Sequence, residues 1–94
     1  MAEARIGDID SALNRKGFIK ADDRNRHIFY YFCHNGKKTA INTHYSKGAK
    51  SISEPLIHDM ARQMKLTKDQ FLQYVECSIS LTDYVTILRE KGFI

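Results

Sequence analysis

The segment His27-Ile28-Phe29-Tyr30-Tyr31-Phe32-Cys33-His34-Asn35-Gly36-Lys37-Lys38-Thr39-Ala40-Ile41-Asn42-Thr43-His44-Tyr45 decides the fold. Its first part is the densest run of aromatic and β-branched residues in the chain. Asn-Gly between two such runs is the strongest short-range hairpin signal, because a type I′ turn needs positive φ at both central positions. With Asn35 and Gly36 as the loop, His34 is expected opposite Lys37, Phe32 opposite Thr39, Tyr30 opposite Ile41 and His27 opposite His44. Strand alternation then puts Ile28, Tyr30, Phe32, Ile41 and Thr43 on one face, the natural core, and His27, Phe29, Tyr31, Cys33, Asn42 and His44 on the other. This register sets two imidazoles side by side.

Working outward from the hairpin, Asp8 can cap a first helix that turns Ile9, Ala12 and Leu13 to one side and stops at Gly17. Phe18 to Ala21 reads as a short strand, limited by the turn-forming Asp22, Asp23, Arg24 and Asn25. On the C-terminal side, a basic loop from Ser46 to Lys50 leads to a helix starting near Ser51 or Ser53, with Pro55 in its first turn where a missing amide hydrogen costs little. Leu56, Ile57, Met60, Ala61 and Met64 recur at helical spacing and are expected in the core, with His58, Arg62 and Lys65 opposite. Thr67-Lys68-Asp69-Gln70 is a capping box that opens a third helix, and Ser80 or Thr82 opens a fourth, ended by Gly92. Leu13 to Ile19 echoes Leu88 to Ile94, and a common helix-stop signal accounts for the match. The fold expected is α+β: an α-β-β-β-α core over residues 6–66, a three-stranded antiparallel sheet packed on helices, with two extra C-terminal helices over residues 67–94. At 94 residues this is a single domain, residues 1–94, with material for one modest core.

Charge narrows the partner. Nine of the fifteen Lys and Arg residues fall between Arg15 and Lys50 against two acids, so that stretch is formally +7 in a chain of +4, and the remainder carries −3. Such clustering is the electrostatic footprint of a phosphate-binding face. Arg24, Arg26, Lys37, Lys38, Lys47 and Lys50 are the candidate RNA-binding cations, and His27 stands among them at the head of the aromatic run. No stretch approaches the roughly 20 apolar residues that cross a bilayer, and Met1 to Arg5 lacks the apolar middle of a secretion signal, so a cytoplasmic location is expected. Cys33 and Cys77, without CxxC spacing, are expected as reduced thiols in that compartment. No metal or cofactor is implied: Cys33 and His34 point to opposite faces of a strand, and His27 with His44 supplies only two ligands.

A helix ending in Ala12-Leu13-Asn14-Arg15-Lys16-Gly17-Phe18, a strand opening on Arg26-His27-Ile28-Phe29, and a basic loop Gly48-Ala49-Lys50-Ser51-Ile52, in that order, resemble the HicA toxin family. The resemblance covers roughly Ile9 to Leu66. It implies a fold like the double-stranded RNA-binding domain and the activity of a metal-independent messenger-RNA endoribonuclease in a toxin and antitoxin pair. It also implies an acidic HicB-like antitoxin as partner and His27 as the catalytic residue. Where the family usually has Gly-Ser before that His, this chain has Asn25-Arg26, and Lys47 stands where a His is often found.

RNA needs no metal to be cut, because its own 2′-hydroxyl attacks the neighbouring phosphorus. A protein has to take one proton, return another and offset the phosphorane's charge, and imidazole does the first two near neutral pH. His27 is the first candidate for that work and His44 for the complementary role. Two readings remain open beside it: an RNA-binding module of the same fold without catalysis, and a protein-interaction domain working through the acidic C-terminal helices. Phe29 and Tyr31 could stack on bases, but an exposed aromatic strip is costly, so the C-terminal helices are expected to cover them.

Overall fold

The computed structural model describes residues 3–21, 27–46, 48–76 and 78–94. The expected phosphate contacts Arg24, Arg26 and Lys47, and the second cysteine, Cys77, lie outside the described residues. The order is β1 (Glu3–Arg5), α1 (Ile6–Arg15), β2 (Phe18–Ala21), β3 (His27–His34), β4 (Lys37–Ser46), β5 (Ser51–Ser53), α2 (Glu54–Gln63), α3 (Lys68–Val75) and α4 (Leu81–Glu90). Antiparallel strands β2, β3 and β4 form one sheet with β3 central, while β1 and β5 pair in a second, two-stranded one. The chain is thus an α+β domain, an antiparallel sheet packed against several helices.

The β1–β5 ribbon, absent from the expected order, changes how α1 begins. Asp8 lies in its first turn and does not cap it; the N-cap is Arg5, whose side chain makes no capping bond. The Ile6 amide donates instead to the Lys50 carbonyl at 2.9 Å, so the ribbon satisfies a donor that a capping side chain would otherwise take. At the other end of α1, Gly17 has φ of +92°, and a Cβ there would stand 2.7 Å from Phe32 Cε1, so glycine is required by conformation and by space. Of the two expected starts of α2, Ser53 is its N-cap, with Glu54 the first helical residue, whereas Ser51 begins β5 (Ser51–Ser53). Both hydrogen bonds of the Thr67/Gln70 capping box form, and Ser80 with Asp83 makes a second box that opens α4.

The hairpin register departs from a simple two-residue-loop ladder. His34 faces Lys37 and Cys33 faces Lys38, but beyond them Tyr31 faces Asn42, Tyr30 faces Thr43, Phe29 faces His44 and His27 faces Ser46. The expected Tyr30/Ile41 and His27/His44 pairs are therefore not made. Thr39 accounts for the slip: its Oγ1 donates to the Phe32 carbonyl at 2.7 Å and accepts from the Ile41 amide at 3.2 Å, so Thr39 to Ile41 bulge opposite Phe32. Because the slip is two residues, every side chain keeps its face.

Tyr30, Phe32, Ile41 and Thr43 accordingly lie buried on the inner face. Ile9, Ala12 and Leu13 of α1 and Ile57, Met60, Ala61 and Met64 around α2 join them; Leu56, expected there, is 50 % exposed. Helices α3 and α4 belong to the same core. Tyr84 packs its ring 5.1 Å from Phe32 and 5.9 Å from Phe18, and Tyr74 lies 6.4 Å from Phe18. Each buried tyrosine hydroxyl has a partner, as burial demands: Tyr84 donates to the Met64 carbonyl, Tyr74 to the Lys16 carbonyl, and Tyr30 to the Asp10 carboxylate, with the Tyr45 hydroxyl 2.6 Å from that of Tyr30.

Lys16, a cation that helix-end chemistry alone would leave in solvent, is buried. Its ammonium donates to the carbonyls of Tyr74 at 2.5 Å and Ile79 at 2.8 Å and sits 4.6 Å from the centre of the Tyr74 ring. The first acceptor is in the last turn of α3, the end where a helix dipole favours positive charge, and the second is in the segment that leads to α4.

Candidate nucleic-acid interface

The outer face of the β2–β3–β4 sheet is assembled by strand alternation alone. From β2 come Ile19 and Ala21, from β3 His27, Phe29, Tyr31 and Cys33, and from β4 Lys38, Asn42, His44 and Ser46, with Ile19 opposite Tyr31 and Ala21 opposite Phe29. The C-terminal helices do not cover the aromatic residues here, contrary to expectation, because their own aromatics are committed to Phe18 and Phe32 on the inner face. Among the described residues, the ring contacts of Phe29 and Tyr31 are all with the sheet: Phe29 stacks on His44 at 4.8 Å and 23°, and the Lys38 ammonium sits 3.8 Å over Tyr31.

His27 and His44 meet although they are not opposed. The bulge moves His44 one pleat along, opposite Phe29, and the two imidazoles come together diagonally with centroids 5.2 Å apart and rings at 78°. Both border a cavity of about 200 Å³ where the β4 edge meets α2, walled by Ile52, Leu56 and Met60, with Asp59 and Gln63 supplying polar atoms. The Gln63 carbonyl oxygen accepts from Thr43 Oγ1 at 2.7 Å and from the His44 amide at 3.3 Å, which ties the strand edge to the helix. His44 Nδ1 is buried with no hydrogen-bond partner among the described residues. Leaving such a group unsatisfied costs about 1–3 kcal/mol, and a hydrogen-bond partner brought to it removes that cost.

Of the expected cations, Lys37, Lys38 and Lys50 are among the described residues, and other lysines of the basic segment are committed elsewhere. Lys50 is exposed beside Ala49, a residue of the cavity wall. Lys37 and Lys38 begin β4 at the far end of the sheet; Lys38 pairs with Cys33, six residues along β3 from His27, which is about 20 Å of strand. Lys16 is buried, and Lys20 is paired with Asp10 at 3.3 Å, so part of the basic segment's charge is internal to the fold. Asp10 is held below the usual carboxylate range, first by the Tyr30 hydroxyl and then by Lys20, and burial together with Asp10 pushes the Tyr30 phenol far upward.

His34 stacks against Phe32 by the turn, and His58 is exposed on α2, both apart from the His27/His44 pair. Among the described residues no group of three His, Cys, Asp or Glu side chains is placed to hold a metal ion, and no helix is long and apolar enough to cross a membrane. Cys33 is a free thiol. Asp59 and Gln63 were not visible as site residues because both lie on the polar side of an amphipathic helix; their one signal is i, i+4 spacing bracketing Met60. Compared with family models, with curated proteins and with solved structures, the chain matches none of them.

Proposed function

We propose that this chain binds RNA and cleaves it without a metal, as a toxin of the HicA type that its sequence resembles, with His27 and His44 as the proton-transfer pair. The observation that carries this reading is the meeting of the two imidazoles, 5.2 Å apart, on the rim of one cavity. In the reaction one imidazole takes the proton of the 2′-hydroxyl as the 2′-oxygen bonds to phosphorus. The other gives a proton to the 5′-oxygen as the P–O5′ bond breaks, leaving a 2′,3′-cyclic phosphate and a free 5′-hydroxyl. Lys50 offsets the phosphorane's charge, with Arg24, Arg26 and Lys47 as further candidates from the sequence. Messenger RNA in the cytoplasm is the substrate on this reading, the segment from residue 6 to 66 is its dsRBD-like core, and an acidic HicB-like antitoxin is the partner that would cover the basic sheet.

A second reading, an RNA-binding module without catalysis, draws on the Phe29–His44 stack, which gives that imidazole a packing role. Incubation with RNA in EDTA separates the two. Catalysis predicts cyclic-phosphate ends, a bell-shaped pH profile, and a rate lowered about 10²- to 10⁴-fold in His27→Ala and in His44→Ala. Cleavage by His27→Ala at the parent rate would remove His27 from the mechanism, and intact RNA with the parent protein would leave the binding module.

A further inference from the structure

We infer that the outer face of the β2–β3–β4 sheet is a track for unpaired RNA, on which successive bases stack against Phe29 and Tyr31 and lead the strand to the His27/His44 cavity. This rests on the RNA reading above and names its substrate class as single-stranded. Three observations converge on it. First, the two-residue bulge keeps Phe29, Tyr31, Asn42, His44 and Lys38 on one face, and the aromatics of α3 and α4 occupy the other. Second, the face suits a polyanion: none of the residues of β2, β3 or β4 is acidic, and Lys38 holds its ammonium directly over the Tyr31 ring. Third, the apolar surface is arranged as separate rings at alternate positions of one strand, with Ile19, 60 % exposed, beside Tyr31. That spacing offers base-sized platforms about 7 Å apart along the strand.

The chemistry selects single strands over duplexes. A base inside an A-form helix has both faces covered by its neighbours, and duplex RNA offers a protein its phosphates, 2′-hydroxyls and shape, to which phenyl and phenol rings add little. An unpaired base presents a free face that can stack on an aromatic ring largely independently of sequence. A strand laid along β3 also brings its ribose-phosphate to the cavity edge at His27.

Binding is measured with His27→Ala protein, so that the RNA stays intact, using a fluorescein-labelled oligouridine and a blunt RNA duplex of equal length at low salt. The oligouridine is expected to bind tighter than the duplex. Phe29→Leu and Tyr31→Leu, which retain apolar cover without a ring, are each expected to weaken oligouridine binding by about tenfold. Thermal melts of each variant confirm that it is folded. Duplex bound as tightly as the single strand, or folded leucine variants that bind oligouridine as their parent does, would overturn the track. Oligouridine held through both rings but left uncut by protein with His27 intact would sustain the track and refute the cleavage. Cleavage with ring-independent binding would do the reverse, and no affinity for either RNA would overturn both.

Discussion

The two faces of the three-stranded sheet are made from the same kinds of residue and put to opposite uses. On the inner face Tyr30 and Phe32 are fully buried, and their rings are met by Tyr45 and Tyr84. On the outer face Phe29 and Tyr31, their immediate neighbours in sequence, are half-buried and touch a histidine and a lysine. Hydrophobicity therefore does not distinguish the faces; the partners do. An aromatic ring surrounded by other rings contributes to stability, and one set among basic side chains stays available to a ligand.

The sharpest way to break this contrast is truncation on either side of it. Phe32→Ala is expected to destabilise the protein by about 3–5 kcal/mol, the usual cost of emptying a core aromatic site, whereas Phe29→Ala should cost about 1 kcal/mol or less, in the range of surface positions. Urea titration of both measures it, and equal losses would show that the outer face is also structural. Next in size is Lys16→Met, which keeps the stem but leaves the Tyr74 and Ile79 carbonyls without their donor. About 2 kcal/mol should be lost, and hydrogen exchange of α3 and α4 amides should quicken more than that of the edge strand β4. The smallest effect concerns the Asp10–Tyr30 bond. The folded pKa of Asp10 lies below its unfolded value, so the folded state holds fewer protons; the stability so gained is present above about pH 4 and is lost as pH falls through the folded pKa. Tyr30→Phe removes the main cause of that depression. Its stability near neutral pH should fall by about 1 kcal/mol, with a shallower acid limb in thermal melts across that window.

Much of the architecture was legible because local chemistry and tertiary structure agree. Asn35-Gly36 forms the turn, Phe18–Ala21 is a strand and Thr67/Gln70 makes its capping box. Sorting the hairpin's residues into two faces needed only alternation, and it survived the bulge because two is an even number. The pairing itself was not legible, since Thr39-Ala40-Ile41 reads as ordinary strand and nothing in sequence marks the threonine that bridges Phe32 and Ile41. Glu3–Arg5 and Ser51–Ser53 are not legible as strands because three residues are too few to show a period, and the two pair with segments roughly 50 residues away, each burying a single residue, Ala4 or Ile52, in the core. At the site, alternation and the Asn-Gly turn suffice to bring His27 and His44 together, and they meet by a diagonal contact rather than as an opposed pair. Gln63, which locks the β4 edge beside them, came from a helix whose polar residues ordinarily face solvent.

The Lys16 contacts have a consequence for how the polypeptide acquires its shape during synthesis. The ammonium's two acceptors follow it by 58 and 63 residues. At about 5–20 residues per second, roughly 3–12 s of translation separate the lysine from the carbonyls that will hold it. Throughout that interval the lysine lacks both carbonyls that hold its ammonium in the folded domain. Completion of the domain therefore waits for the late-made residues, and a nascent chain halted before Ile79 carries an unsealed core.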